Sequence, residues 1–476
     1  MKRVTSPAWL SVVCISAILA GALGTASWHA AGSTAEPGSE GRESSGPGGD
    51  GGTSGPRLSV TPGRSESARI SRPSDGGGPG TLTDRAITLS SYDAAAGRAV
   101  LSLGDRDGKK GGADVRKGDL ITSPPTKTAP AGALVKVREV RSGDGPTTEV
   151  RTSRASLAEV FGGAKARGRI PVSPSAWKVH PLVEGLDVAR GVAGGAAASG
   201  KAGREAGDKT GDRARDRSLR FDFDTELPMF KGKSGLKRET EVGGFLEMAP
   251  EVTFSYDGRG SDRPANATAS IGVEGDYKTG WRIKGPVATP RIAPRIPLAE
   301  IAAYPVIMVG PVPVVVSLKL TLVLEVRADG RMKADIEQAQ GGTMKIGTRY
   351  AEASGWKSDS HADGRRLPGG RAEVAGDGQL RTMLGPEASI GLYDTVGVDA
   401  FFGPYLRATA RHPDAATESG DRKRGAWKLY RGVTLENSLF ARLPFAIIGI
   451  RPSKRLVFPV HTREWPVAEG RVPARS

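Results

Sequence analysis

The chain has a single cysteine and only five histidines. Because Cys14 lies in the apolar N-terminal run, the rest of the chain can form no intrachain disulfide and no thiolate metal site. None of the histidines has a second histidine or a cysteine at the short spacing of zinc ligands. We therefore predict no metal and no cofactor.

The sequence also lacks the signatures of common enzymes. Its folded parts contain no Gly-x-Ser-x-Gly elbow, no phosphate-binding Gly-x-x-x-x-Gly-Lys loop and no dinucleotide fingerprint after a strand. The segment SDSHADG (358–364) brings Asp359, His361 and Asp363 close together in sequence, but turns are rich in these residues, and we interpret it as a polar surface loop. No catalytic residue is predicted.

The longest apolar stretch of the mature chain is not a transmembrane helix. YPVIMVGPVPVVVSLKLTLVLEV (304–326) is long enough to span a bilayer, but proline and glycine interrupt its first half. From Val316 onward apolar residues alternate with polar ones such as Ser317, Lys319 and Glu325. A period of two predicts a strand with one buried face.

The sequence is rich in glycine and proline, with 66 Gly and 33 Pro, and in short runs in which apolar and polar residues alternate. Strands between such turn signals, with little helix, are typical of an all-β protein. We predict two antiparallel β-rich domains: a small barrel or sandwich over 85–162, and a larger sandwich or flattened barrel over 218–468. Within the first, RASLAEVF (154–161) has helical spacing after a Ser cap candidate, which predicts a short helix.

Low-complexity segments flank these domains. Residues 33–84 are dominated by Gly, Ser, Pro and charge, and we expect a disordered tether there. Residues 163–217, which include a run rich in Gly and charge, are predicted to be a linker, and 469–476 a tail.

The N-terminus has the pattern of an export signal. Residues 1–32 begin with Lys2 and Arg3, continue through an apolar run and end in small residues. This predicts a cleaved signal peptide and a secreted or cell-surface protein. The alternative is a single-pass membrane anchor with an extracytoplasmic body, and only this segment would then contact a membrane.

One stretch resembles other proteins. VRKGDLITSPPTKTAPAGALVKVREV (115–140) has a Gly-Asp strand start followed by Ala-Pro, Gly and Leu-x-Lys-Val, and it resembles a segment of uncharacterised secreted bacterial β-rich proteins. The resemblance implies a β-rich extracytoplasmic protein and carries no activity.

The formal net charge is +16, and the chain from Arg85 onward carries all of that excess. A basic exported protein has affinity for anionic wall polymers, lipid headgroups or nucleic acid. The chain lacks the signature of any nucleic-acid-binding module, so we predict no specific nucleic-acid partner. The charge is equally consistent with a role in solubility alone.

The best candidates for a binding site are cations beside aromatic residues. DRKRGAWKLYRG (421–432) combines three leading cations with a tryptophan and a tyrosine, and KTGWRIKG and SGWKSD each place a tryptophan at a turn edge beside Lys or Arg. Such pairs bind polyanions, headgroups or sugar faces. The predicted ligand-binding residues are Trp427, Lys428, Tyr430, Arg431, Arg422, Arg424, Trp281 and Trp356. Alternatively, the tryptophans belong to the core.

These observations predict a non-enzymatic envelope or extracellular protein that binds an anionic wall polymer or glycan. The leading alternative is a secreted hydrolase of wall polysaccharide that uses acids such as Asp222 or Asp224. A structural component that binds only itself is a third possibility.

Overall fold

The fold is described from a computed structural model. It describes residues 55–63, 67–72, 81–82, 87–103, 115–141, 147–190, 217–231, 237–258, 267–288, 295–351, 354–411, 425–441 and 456–472. The predicted signal (1–32) and the first part of the predicted tether lie outside the described residues.

Strands make up nearly all of the described structure. The first nine are β1 (Arg57–Leu58), β2 (Val60–Gly63), β3 (Arg69–Arg72), β4 (Thr81–Leu82), β5 (Ile87–Asp93), β6 (Arg98–Leu103), β7 (Leu120–Ser123), β8 (Ala133–Arg141) and β9 (Thr147–Arg154). The helix α1 (Leu157–Phe161) follows. The remaining strands are β10 (Lys165–Pro171), β11 (Lys178–Pro181), β12 (Asp187–Arg190), β13 (Leu219–Lys231), β14 (Lys237–Asp257), β15 (Thr268–Ala288), β16 (Arg295–Ala303), β17 (Val306–Val309), β18 (Val312–Ala351), β19 (Gly355–Ser358), β20 (His361–Ala362), β21 (Arg365–Arg366), β22 (Arg371–Leu392), β23 (Val396–Arg411), β24 (Ala426–Ala441), β25 (Leu456–Val457) and β26 (His461–Arg471). The prediction of an all-β protein is confirmed. No helix among these residues is both long enough and apolar enough to cross a membrane.

The smaller of the two sheets contains seven strands in the order β4-β3-β7-β8-β9-β6-β5. A β-bridge joins Ala68 to Ile87, so that six of these strands close into a ring. The ring has its own apolar core, in which Leu101, Ile121, Val137 and Val150 are fully buried. Residues 115–140 supply β7 and most of β8.

The helix predicted at the end of this domain is confirmed as α1. The hydroxyl of Ser156 accepts a hydrogen bond from the backbone N–H of Glu159, and the Glu159 carboxylate accepts one from the backbone N–H of Ser156. This reciprocal capping box satisfies two backbone donors that a helix start leaves unpaired. Leu157, Val160 and Phe161 are buried in the apolar core of the larger sheet, where Phe161 contacts Phe254 and Tyr256 of β14.

Replacing Ser156 with alanine is expected to lower the free energy of unfolding by about 1 kcal/mol, because the first turn of α1 loses its side-chain cap. Urea denaturation followed by circular dichroism measures the change. Ser173→Ala is the matched control, since Ser173 precedes the 3-10 turn Pro174–Ala176 without making a side-chain cap. An equal loss in both variants would contradict the capping role.

The larger sheet is an antiparallel series of long strands. Its main order by hydrogen-bonded pairing is β12-β13-β14-β15-β18-β22-β23-β24-β26, with shorter strands along its edges. The central strand β18 has 40 residues and pairs with β22 through its first part and with β15 through its second part. Residues 331–337 of β18 are paired on both sides, so this strand joins the two halves of the sheet.

Glycines with positive φ mark the place where the sheet bends. Gly330 in β18 has φ +82 and is paired with Gly378 in β22, which has φ +154. A side chain on Gly378 would lie 2.2 Å from the carbonyl oxygen of Asp329. Only glycine fits such a position, and glycines at defined positions are a common means of curving a sheet.

The bend brings the two halves of the sheet into contact as two packed layers. The ring of Tyr277 in β15 lies edge-on to that of Phe402 in β23, with ring centroids 4.9 Å apart. The side-chain amide of Gln340 in β18 donates to the carbonyl oxygen of Gly432 in β24 at 3.1 Å. The interface between the layers is mostly apolar, and an apolar cavity of about 30 Å³ between them is lined by residues such as Leu219, Val273 and Ile390.

The apolar stretch 304–326 forms β17 and the first part of β18, as its alternation predicts. Gly310, with φ +57, and Pro311 form the tight turn between the two strands. The predicted buried face of β18 is buried except at Leu320, which is half-buried. Glu325 on the other face is also buried, and it forms an ion pair with Arg327.

Four aromatic side chains lie over glycines of a neighbouring strand. The directly opposed pairs are Phe223 with Gly244, Phe245 with Gly280, Tyr405 with Gly432, and Trp427 with Gly470. A Cβ added to any of these glycines would lie within 2.3 to 3.3 Å of the ring opposite. The rings thus cover backbone that glycine would leave exposed, which stabilises glycine-rich strands.

Two segments with the composition of turns, and part of the predicted linker, are strands in the structure. DYKTGW (276–281) lies in the middle of β15, where Gly280 is covered by Phe245, and RADGR (327–331) contains the bend of β18. Residues 163–190, predicted to begin a linker, contain β10, β11 and β12, because the widely spaced Ile170, Val172 and Trp177 are buried.

The described part of the predicted tether is also paired. β1 pairs with β10 and β2 with β17, while β3 belongs to the smaller ring. At the other end of the chain, β26 extends to Arg471, three residues into the predicted tail.

Candidate functional site

The chain between β18 and β22 runs back along the edge of β18 as three short strands, β19, β20 and β21. We call residues 355–366 the strap. Its backbone is tied to β18 where the N–H of Asp363 donates to the carbonyl oxygen of Thr343 at 3.0 Å. The side-chain amide of Asn437 in β24 donates to Ser358 and Ser360, so the strap also contacts the opposite layer.

The strap forms one wall of a cleft of about 460 Å³. β26 supplies the opposite wall and β15 and β18 the floor. The lining residues are Asp276, Gly342, Thr343, Asp363, Gly364, Arg365, Arg463 and Trp465. We call it the Trp465 cleft. Its size falls within the range of about 300 to 1,000 Å³ that is usual for small-molecule sites.

Charged side chains of both signs converge on the Trp465 cleft. Asp276, Asp363, Arg365 and Arg463 are all exposed. Within the described part of the chain, Asp276, Arg365 and Arg463 take part in no ion pair, whereas other charged residues of the sheet are paired across strands. The hydrogen-bonding capacity of these three side chains is therefore free for a ligand.

Arg431 lies behind the tryptophan of this cleft. Its guanidinium carbon is 4.9 Å from the centroid of the Trp465 ring, a cation–π contact between neighbouring residues of β24 and β26. Nε and Nη1 of Arg431 are buried without a hydrogen-bond partner. Burial is the main cause that lowers the pKa of Arg431, and nearby Tyr277 and Asp363 oppose it. The guanidinium stays charged at neutral pH.

Tyr277 ties the strap to the strand that supplies part of the cleft floor. The Tyr277 hydroxyl donates to the carbonyl oxygen of Asp363 at 2.8 Å, which holds the strap onto β15. Gly342 and Gly364 carry no side chain where the cleft is narrow: a Cβ on Gly364 would lie 3.0 Å from the Trp465 ring and 3.3 Å from Nη1 of Arg431. A Cβ on Gly342 would instead collide with the carbonyl group of Asp363, so glycine at 342 lets the strap lie against β18, and glycine at 364 leaves room beside Trp465.

Of the predicted binding residues, only Arg431 adjoins this cleft. Trp427 and Trp281 are 9% and 2% exposed and belong to the core, so the predicted surface of three tryptophans does not form. Trp356 is half-buried in the strap and packs on Tyr350, with ring centroids 5.2 Å apart. Trp427 is buried because successive residues of a strand point to opposite faces. Trp427 and Arg431 fall on the inward face of β24, together with buried leucine and valine.

Two further predicted residues that the structure describes, Lys428 and Tyr430, do not line the cleft. Lys428 and Tyr430 are on the outward face of β24, where Arg407 lies 4.2 Å from the centre of the Tyr430 ring. Arg422 and Arg424 lie outside the described residues. Trp465 and Arg463 were missed, although REWPV has the same signal, an aromatic residue beside a cation.

The acids proposed for a hydrolase face cations. Asp222 accepts hydrogen bonds from Arg220 at 2.7 and 2.8 Å, and Asp224 forms an ion pair with Arg282. Both are on the outer face of β13, on the opposite side of the strand from the buried Leu219, Phe221 and Phe223. Asp187 of β12 is paired directly opposite Asp222, and Asp222 is hydrogen-bonded by Arg220. Among the described residues, no group of three or more metal-ligating side chains is present.

The protein is thus all-β and has a charged surface cleft beside Trp465. Comparison with protein-family models, with curated proteins and with solved structures finds no match for this chain.

Proposed function

We propose that this protein is a non-enzymatic binding protein that acts outside the cytoplasm and binds an anionic wall polymer or glycan in the Trp465 cleft. The observation that carries the proposal is the convergence of two unpaired arginines, Arg365 and Arg463, on an accessible tryptophan edge. Guanidinium groups bind carboxylates and phosphates in bidentate fashion, and the apolar edge of an indole ring can pack against a sugar.

The extracytoplasmic location is supported by the sequence of residues 1–32. The segment acts either as a cleaved signal or as an anchor, and in the second case it alone contacts the membrane.

An Arg365→Ala/Arg463→Ala double variant is expected to lose most retention on purified bacterial cell wall in about 0.5 M salt, where screening limits electrostatic attraction to a few ångströms. Sedimentation of the full chain with wall fragments measures retention. The matched control is Arg331→Ala/Lys333→Ala, which removes two exposed cations of β18 outside the cleft. Equal loss in both variants, or no retention of the native protein, would mean that the wall attracts only net charge.

A second candidate function is hydrolysis of a wall polysaccharide. It is favoured by the presence of two carboxylates, Asp276 and Asp363, in the same cleft, since glycosidases use pairs of acids. Incubation of the full chain with wall fragments, as in the retention measurement, also separates the two functions. New reducing ends that disappear in Asp276→Ala and in Asp363→Ala would establish the hydrolase, and their absence leaves binding as the function.

A further inference from the structure

The two carboxylates give the Trp465 cleft a selectivity that net charge alone would not. Asp276 projects from β15 and Asp363 belongs to the strap, and both line the same cleft as Arg365 and Arg463. A densely charged chain such as polyphosphate would place negative groups beside both aspartates. Like charges at short range repel each other, so these carboxylates disfavour a polyanion that fills the whole cleft.

The same carboxylates suit a ligand that carries hydroxyl groups. An ionised carboxylate only accepts hydrogen bonds, and sugar hydroxyls donate them. Guanidinium groups only donate, and a ligand carboxylate presents two acceptor oxygens in matching geometry. The lining therefore offers acceptors for hydroxyls, donors for one anionic group, and the Trp465 edge for the ring between them.

Resting on the proposed function, we propose that the Trp465 cleft binds an acidic saccharide, a sugar ring with free hydroxyls and one carboxylate, in preference to a neutral sugar or a polyanion without sugar rings. Arg365 and Arg463 bind the carboxylate, and Asp276 and Asp363 accept hydrogen bonds from the hydroxyls.

Gly364 determines whether the ring can enter. Since a Cβ at this position would already lie 3.0 Å from Trp465, the larger side chain of Gly364→Val would displace the indole and occupy the narrow part of the cleft. The backbone of Gly364 does not require glycine, because its φ lies outside the left-handed region. The variant therefore tests the space in the cleft more than the conformation of the strap.

Isothermal titration of the full-length protein with three probes tests the selectivity: an oligosaccharide of galacturonic acid, a galactose oligosaccharide of the same length, and polyphosphate. The galacturonate probe is expected to bind at least about tenfold more tightly than either of the others. Gly364→Val should abolish this binding while the thermal unfolding midpoint shows that the variant is folded.

Removing the two carboxylates distinguishes selection by Asp276 and Asp363 from attraction of anions by charge alone. In an Asp276→Ala/Asp363→Ala variant, galacturonate affinity should fall about tenfold while polyphosphate affinity rises, because the first loses acceptors and the second loses a repulsion. A site that attracts anions by charge alone would gain affinity for both probes. Opposite changes for the two probes are thus the expected result.

The failures of this inference and of the proposed function are distinguishable. Equal affinity for galacturonate and galactose, or tighter binding of polyphosphate, overturns the selectivity and leaves wall retention through Arg365 and Arg463 intact. Binding of none of the three probes also overturns the selectivity. Loss of wall retention in 0.5 M salt by the native protein, measured separately, overturns the proposed function itself.

Discussion

Raising the pH from 9 to 11 is expected to lower the free energy of unfolding by roughly 3 to 5 kcal/mol, because tyrosines ionise in the unfolded chain while the buried tyrosines of the folded protein keep their protons. Four of them donate a hydrogen bond from the phenol to an oxygen: Tyr256 to Gly162, Tyr277 to Asp363, Tyr393 to Pro313, and Tyr405 to Glu464. A phenolate cannot donate, and it would face that oxygen with a negative charge.

Burial raises the pKa of each of these phenols. For Tyr256 and Tyr405 the pKa is about 12, with Asp257 and Glu464 adding to the effect of burial, and for Tyr277 and Tyr393 it is higher still. The unfolded chain releases these protons near pH 10. Above that pH the folded state holds more protons than the unfolded state, so stability falls as pH rises. Below about pH 9 the tyrosines are protonated in both states and contribute almost no dependence of stability on pH.

Urea denaturation at pH 9, 10 and 11 measures the loss, and tyrosinate absorbance identifies the ionising group. In Tyr256→Phe the ring remains and the titrating hydroxyl is removed, so the dependence on pH should become shallower by about one quarter of the effect of the four tyrosines. A free energy of unfolding that is the same at pH 9 and 11 would show that these phenols are accessible to solvent.

Replacing Phe402 with alanine is expected to lower the free energy of unfolding by about 3 to 5 kcal/mol, the range for a large aromatic side chain lost from a core. Phe402 is 0% exposed and contacts Tyr277 across the two layers of the larger sheet. The cavity left behind would therefore lie at the interface that the bend of β18 creates. Chemical denaturation measures the change.

Phe401→Ala is the matched control for this prediction. The neighbouring phenylalanine points to the opposite face of β23, is half-buried and has the guanidinium of Arg295 at 5.8 Å from its ring centroid. Its loss should cost much less than that of Phe402, because little cavity forms at a half-exposed site. Similar losses for both would contradict the assignment of Phe402 to the interface between the layers.

Much of the fold can be predicted from the sequence where one face of a strand is buried. The alternation from Val316 to Val326 is a direct consequence of that burial, and so are the buried Leu219, Phe221 and Phe223 of β13. The capping box at Ser156 is equally local. Strand lengths could not be predicted, because glycines covered by aromatic residues of the next strand have the same composition as turns.

The Trp465 cleft could not be predicted from local sequence because its walls come from distant parts of the chain. Asp276, Asp363 and Trp465 are brought together only by the bend of β18 and the return of the strap. Arg431 was predicted as a surface cation of a basic segment, but its strand position directs it between the layers. Strand pairing therefore decides which tryptophan contacts which arginine, and strand pairing cannot be predicted from a single sequence.

The 40-residue strand β18 also has a consequence for how the molecule unfolds. Because it is hydrogen-bonded to β15 on one side and β22 on the other, neither half of the larger sheet can detach without exposing an unpaired edge of the same strand. We expect the two halves to melt as one cooperative unit rather than as separate foldons. Most of their contacts also join residues far apart in sequence, so refolding should be slow.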